Sequence, residues 1–220
     1  MGRRLSLITP LHLRTPRDYL KRMQDEKVAC MRVAREYDRE FWDGDRRYGY
    51  GGHRYDGRWE PVARRLAEIY RLDAQAKILD VGCGKGYLLY EFKRLFPEAL
   101  VQGFDLSGYA IQNVKEEVRD AVFIHKAQDP YPFSDRTFDL VLSLGTLHNL
   151  VLYDLKAALA EIERVGKQKY VTAESYRDEK ELFNLQCWAL TCESFFTPEE
   201  WVWIFHEFGY SGDYEFIYFE

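Results

Sequence analysis

Residues 77–88 read KILDVGCGKGYL, and the reading of this stretch decides the fold. It opens with an apolar run, Ile78-Leu79-Asp80-Val81, as a buried parallel strand does. Three glycines follow at alternate positions, Gly82, Gly84 and Gly86. The chain continues as Tyr87-Leu88-Leu89-Tyr90-Glu91-Phe92, a helix-like run. Strand, glycine turn and helix together build a nucleotide site in an open α/β sheet. Glycines let the backbone turn sharply and let a ligand lie on bare main chain. The helix N-terminus then offers unpaired N–H groups to a negative group. A dinucleotide fingerprint would space its glycines as G-x-G-x-x-G. Here the third glycine comes one residue early, and an acid, Asp80, precedes the turn.

Downstream, apolar strand-like runs alternate with helical ones. Strands are expected at 77–81, 100–104, 121–125, 138–143 and 168–174, with helices at about 86–95, 107–118 and 153–165. This order predicts an α/β fold with a doubly wound, mostly parallel sheet and helices on both faces. After Glu174, residues 177–191 read as helix, Thr197-Pro198 cap another helix to about Phe208, and residues 214–219 form a last strand. Upstream, residues 1–74 read as a helical arm and lid, leaving 75–220 for the sheet domain. Residues 1–14 stay ambiguous, since Pro10 argues against a central strand. Thr15 and Pro16 predict the start of one long helix reaching about Phe41, and Trp59 to Leu72 a second. Between them lies WDGDRRYGYGGHRYDGRW, residues 42–59, too polar for core and too aromatic for an idle linker.

The 220 residues are 46% hydrophobic and 30% charged, which suits one globular α/β domain with a small elaboration. No apolar run is long enough to span a bilayer. Gly2 and Ser6 match a short myristoylation pattern, which recurs by chance. Cys30, Cys83, Cys187 and Cys192 form no C-x-x-C pair, so reduced thiols in a cytoplasmic protein and no metal site are expected. The net charge of −5 hides an asymmetry. Residues 1–75 carry 17 Lys/Arg against 12 Asp/Glu, and residues 76–220 carry 14 against 24. The basic residues are interspersed with acids, as on a solvated helix, so neither nucleic acid nor membrane is expected as a partner.

Two further stretches carry chemistry. The second strand ends in Asp105-Leu106, where an acid can accept hydrogen bonds from a ribose diol or, more plainly, cap the next helix. Residues 130–150 read PYPFSDRTFDLVLSLGTLHNL. Taken with the D-x-G-x-G-x-G of residues 80–86, the chain from 77 to 175 resembles the class I S-adenosylmethionine (SAM)-dependent methyltransferase family, of a Rossmann-like fold. The final GYSGDYEFIYFE resembles only part of that family's C-terminal strand pair, so a shortened hairpin is expected.

The resemblance implies SAM as cofactor and S-adenosylhomocysteine as product. It implies a cofactor site of Arg58, Asp80, Gly82, Cys83, Gly84, Gly86, Asp105, Leu106, Gln128, Ser143 and Leu144. Arg58 is expected to meet the methionine carboxylate, and Gln128 the adenine, where many relatives have an acid. Tyr50, Tyr55, His148, Glu174 and Tyr176 are expected around the acceptor. Tyr48 and Trp59 would help wall off water. His148 is the expected base, balanced against a structural histidine in a Leu-His turn; Glu174 and Tyr176 after the fifth strand, and Asp154, are further candidates. His53 falls in the lid, and His12, His125 and His206 read as structural. The expected reaction is methyl transfer to an oxygen of a small hydroxylated, sugar-like acceptor by a monomer or homodimer. An N-methyltransferase and a non-catalytic SAM sensor are the alternatives. The glycine spacing disfavours an NAD-dependent oxidoreductase.

Overall fold

The computed structural model describes residues 2–50 and 53–220. Six strands form one sheet in the order β3-β2-β1-β4-β5-β6. They are β1 Lys77–Val81, β2 Leu100–Asp105, β3 Val122–Ile124, β4 Phe138–Leu144, β5 Gly166–Glu174 and β6 Asp213–Ile217. Every pairing is parallel. The order reverses between β2-β1 and β4, so the carboxyl ends of β1 and β4 diverge and open a crevice there.

Alternate side chains of each strand go to opposite faces, and each face has its own apolar layer. Leu79, Val81, Val141, Val171 and Ala173 pack with α8 (Leu152–Val165) and α10 (Pro198–Glu207). Ile78, Val101, Leu140, Leu142 and Tyr170 pack with α5 (Glu60–Tyr70) and α6 (Tyr87–Leu95). Truncating a wholly buried side chain such as Leu79 or Trp201 to alanine costs roughly 2–5 kcal/mol in such cores. Thr197 and Glu200 form the reciprocal cap that starts α10. Among the described residues, no helix is long and apolar enough to cross a membrane.

Three expectations about the helices need correction. The single helix from Thr15 to Phe41 is three short ones, α2 (Tyr19–Gln24), α3 (Lys27–Ala34) and α4 (Arg39–Trp42). The chain turns between them at Glu26 and Tyr37, both with positive φ. Such a conformation costs a non-glycine residue energy, which tertiary hydrogen bonds offset. Lys27 Nζ donates to Cys187 O at 2.7 Å, and Tyr37 O accepts from Trp42 Nε1 at 3.1 Å. Asp18, not Thr15, caps α2, accepting from Lys21 N at 3.0 Å. The helix expected over 107–118 stops early: α7 is Gly108–Gln112, followed by a 3-10 turn over Glu116–Ala121.

The ambiguous N-terminus runs beside the sheet edge. Leu5 N donates to Tyr214 O at 2.8 Å and Tyr214 N to Arg3 O at 3.0 Å. The buried Glu215 carboxylate then gathers the N–H groups of Leu7, Ile8 and Thr9 around the start of α1 (Thr9–Leu13). The C-terminal segment contributes the single strand β6, parallel to β5, after α9 (Glu179–Trp188) and α10. No hairpin partner for it occurs among the described residues.

Candidate active site

A cavity of about 740 Å³ lies over the carboxyl ends of β1, β2 and β4 and runs on beneath the N-terminal arm. At one end stands the glycine turn. Gly82, Gly84 and Gly86 all have positive φ. A Cβ on Gly82 would strike Thr146 Oγ1 at 2.0 Å, and one on Gly84 would press on the Trp42 ring at 2.8 Å. No larger residue fits either place, which leaves bare backbone facing the cavity.

Asp105 ends β2 beside this turn. One carboxylate oxygen accepts from Gly84 N and the other from Ser107 N, both at 2.9 Å. Each oxygen keeps a further lone pair. Asp80 is buried next to it, and burial together with the Asp105 charge pushes its pKa up to about 7. Leu106, His125 and Gln128 extend the same wall.

The site residues expected from the sequence divide into two groups. Asp80, Gly82, Cys83, Gly84, Asp105, Leu106, Gln128, Leu144, Tyr50, His148 and Glu174 line the cavity. Arg58, Tyr55, Tyr176, Ser143 and Gly86 do not. Arg58 is exposed and turned back on Asp56, with Nε 2.8 Å from Oδ2, because its own neighbour supplies a carboxylate before any ligand can. Tyr55 donates to Glu91 Oε1 at 2.8 Å and packs on Tyr87 and Tyr90, outside the cavity. Tyr176 packs in the small cluster around Trp188 and Phe219. Ser143 is wholly buried and donates to Val81 O at 3.1 Å, joining β4 to β1. Gly86 caps α6.

Sequence reasoning missed the cation at the glycine turn, Lys85. It is buried and pairs with Asp43 Oδ1 at 2.6 Å. Asp43 also accepts from Tyr109 at 2.8 Å, and Trp42 Nε1 donates to Ser107 Oγ at 2.8 Å. These bonds latch the end of α4 onto the turn, so Tyr37, Phe41 and Trp42 close one side of the cavity. The expected lid at 42–59 therefore begins earlier in the chain, and two of its glycines, Gly51 and Gly52, lie outside the described residues. Lysine inside the glycine turn was the only local signal for this latch.

The far end of the cavity is built of side chains. His148 is buried and both its ring nitrogens face residue 174. Nδ1 accepts from Glu174 N at 3.3 Å, and Nε2 lies 3.5 Å from Glu174 Oε2. Burial lowers His148 to about 3 and raises Glu174 to about 7, the latter opposed by Arg17 and Lys27. At neutral pH the imidazole is uncharged, so the approach is not an ion pair. A histidine whose pKa is lowered by burial is a weaker base, and this environment suits the structural reading of His148 better than the base. Tyr50 is a wall: its hydroxyl is held by Leu190 N at 2.8 Å and Thr191 N at 3.1 Å. His12, Arg17, Trp188 and Thr191 join from segments with no motif of their own. Asp154 is also present. Of the five buried polar side-chain atoms without a partner among the described residues, four belong to this lining: Arg17 Nε, His53 Nε2, His125 Nε2 and Glu174 Oε2. Unpaired polar atoms concentrated in one hollow mark a place for a polar ligand. No group of three His, Cys, Asp or Glu placed to hold a metal occurs among the described residues.

Residues 78–169 match the family model described as a methyltransferase domain. The mitochondrial arginine-hydroxylase NDUFAF5 of Mus musculus is 30% identical over 136 residues, covering 61% of this chain and 39% of that protein. The chain thus spans about two-fifths of that relative's length. The trans-aconitate 2-methyltransferase of Afipia carboxidovorans is 38% identical over 69 residues, 31% of this chain and 27% of that one. The crystal structure of YcgJ from Bacillus subtilis superposes with a TM-score of 0.53 at 19% identity, over 66% of each chain, which reports on fold.

Proposed function

We propose that this chain is a class I SAM-dependent methyltransferase, as the match of residues 78–169 to a methyltransferase-domain model supports, and that it methylates an oxygen of a small hydroxylated acceptor. The observation that carries this reading is the continuity of the cavity. One hollow joins Asp105 and the glycine turn to the unpartnered Glu174 carboxyl.

The cofactor would contribute a methyl group already activated on a sulfonium. The residues present fit it. Asp105 has lone pairs left for the two ribose hydroxyls, and a charged acceptor strengthens such bonds. His125 and Gln128 face the base. Lys85 takes the place at the methionine end that Arg58 leaves. Asp80, ionised, balances the positive charge of the ligand. Tyr37, Phe41 and Trp42 exclude water along one side.

In the transfer the acceptor oxygen forms its bond to the methyl carbon as the carbon–sulfur bond breaks. Glu174 Oε2 receives the hydroxyl proton, which a pKa near 7 allows. His148 holds the Glu174 backbone N–H through Nδ1 and stays neutral, leaving the carboxyl free for the acceptor. Alignment and exclusion of water supply most of the acceleration in such a charge-dispersing reaction.

The test is formation of S-adenosylhomocysteine from SAM with a panel of small phenols, alcohols and amines. Turnover on hydroxylated members, lost in Glu174→Gln, supports the reading. Turnover on amines alone would make it an N-methyltransferase. Tight SAM binding with no turnover on any member would make it a sensor.

A further inference from the structure

Positive charge gathers behind the acceptor end of the cavity, with Glu174 as the carboxyl group it acts on. Arg17, Arg22, Lys27 and Arg46 gather around Trp188 and its neighbours, and none makes an ion pair within 4.0 Å among the described residues. Three of them surround one ring: Arg22, Arg46 and Arg17 lie 4.5, 5.1 and 5.5 Å from the Trp188 centroid. Arg22 is consumed by backbone, donating to Arg46 O at 2.7 Å and Gly49 O at 2.6 Å. Lys27 is spent on Cys187 O and Ala189 O.

Arg17 differs because it lines the cavity and is only partly used. Its Nη1 donates to His12 O and Thr15 O, both at 3.0 Å, and its Nη2 to His12 Nδ1 at 2.9 Å. His12 can accept at Nδ1 because its Nε2 donates to Tyr218 O at 2.9 Å. A guanidinium has five N–H donors. Three are taken, which leaves Nε–H and one Nη2–H; Nε is buried and has no partner. The group also lies over two rings, 5.5 Å from Trp188 and 5.4 Å from Phe219, so with its three hydrogen bonds it is pre-ordered before any ligand arrives.

We propose that Arg17 is the acceptor-recognition residue and that the acceptor is a flat, apolar hydroxy acid whose carboxylate Arg17 receives. Two donors suit the two oxygens of a carboxylate. A phosphate dianion would need more donors and would bring a second charge beside Glu174. The aromatic walls, Trp188, Phe219 and Tyr50, suit a planar apolar body, and the hydroxyl is presented to Glu174. The inference rests on the reading of Glu174 as the proton acceptor and deepens it to a substrate class.

The test is calorimetry on the full chain with S-adenosylhomocysteine in place, titrating 4-hydroxybenzoate against its neutral counterpart 4-hydroxybenzamide. In the wild type the carboxylate should bind at least tenfold tighter. In Arg17→Gln the two should bind within about twofold of each other, with affinity for S-adenosylhomocysteine unchanged. Arg17→Lys keeps the charge without the planar fork and should retain only part of the preference; it decides the matter if the glutamine variant does not fold. Equal binding of acid and amide to the wild type, no binding of either, or a preference that survives both substitutions would overturn the inference. Carboxylate preference without any methyl transfer would instead refute the proposed function and leave Arg17 as an anion site. Turnover of neutral phenols with no carboxylate preference would do the reverse.

Discussion

The two ends of the cavity are built in opposite ways. The cofactor end comes from the ends of three strands adjacent in the sheet, with Gly82 to Lys85 following β1, Asp105 closing β2 and Leu144 to Thr146 at the end of β4. Much of its surface is backbone, and each part is set by residues a few positions away. The acceptor end draws on His12, Arg17, Tyr50, Glu174, Trp188 and Thr191, which span most of the chain. There the working atoms are side chains, held by long-range contacts such as Tyr50 to Leu190 and Thr191. The difference teaches that a site made of local turns can be transplanted with its motif, whereas one made of distant side chains exists only once the whole chain has folded.

The sharpest break between the ends should come at Glu174. Glu174→Gln is expected to lower kcat by about 10²–10³-fold, in the range for loss of a general base, while S-adenosylhomocysteine binds as before. Steady-state kinetics beside calorimetry would read both, and an unchanged kcat would remove Glu174 from the chemistry. The same variant carries a stability signature. The folded pKa of about 7 lies above the ordinary 4.5, so the contribution of Glu174 to stability is present below pH 4.5 and is lost as pH rises through 7. At pH 8 the glutamine variant should therefore be more stable than wild type, by roughly 3 kcal/mol, and the gain should vanish as pH falls below 4.5.

At the other end, Asp105→Ala should weaken S-adenosylhomocysteine binding by about 10–100-fold, through loss of one or two charged hydrogen bonds. It should also lower the melting point, since Gly84 N and Ser107 N lose their acceptor. Equal calorimetric affinity would sink the ribose assignment. Asp80 predicts a pH dependence of a smaller size. Its pKa of about 7 lies above the ordinary 3.8, so the carboxyl is protonated as pH falls below 7. Affinity for SAM, which needs the ionised form, should fall by up to about tenfold per unit below pH 7 and level off above it. A flat titration from pH 5.5 to 8 that persists in Asp80→Asn would discard this role.

The arm that bridges the two ends supplies the weakest effects. Asp43→Asn should loosen the latch and speed hydrogen exchange through Tyr37–Trp42 several-fold without ligand, with S-adenosylhomocysteine restoring part of the protection. Identical exchange in wild type and variant would show that the latch holds nothing. Arg58→Ala should change cofactor affinity by less than twofold, because the side chain is exposed and already paired with Asp56. A tenfold loss would restore Arg58 to the site and unseat Lys85.

From the sequence alone, the strand-turn-helix of residues 77–95, the parallel order of the strands, Asp105 at the end of β2 and the cap at Thr197 were all legible. Each depends on near neighbours: apolar periodicity, glycine conformation and capping act within a few residues. Where the sequence reading went astray, distant contacts had outweighed local preference. The stripe from Thr15 to Phe41 favoured one helix, but bonds from Lys27 and Tyr37 to far segments broke it into three. Arg58 looked available until Asp56 took it. His148 has a base's ordinary pKa in an open chain, but burial lowers it, and burial raises that of Glu174, which is why Glu174 is the proposed proton acceptor. Charge state and partner choice depend on what surrounds a group in three dimensions, so the backbone cradle was written in the motif, while Glu174 stood among several candidates and the placing of Lys85 and Arg17 beside the cavity emerged only in the folded molecule.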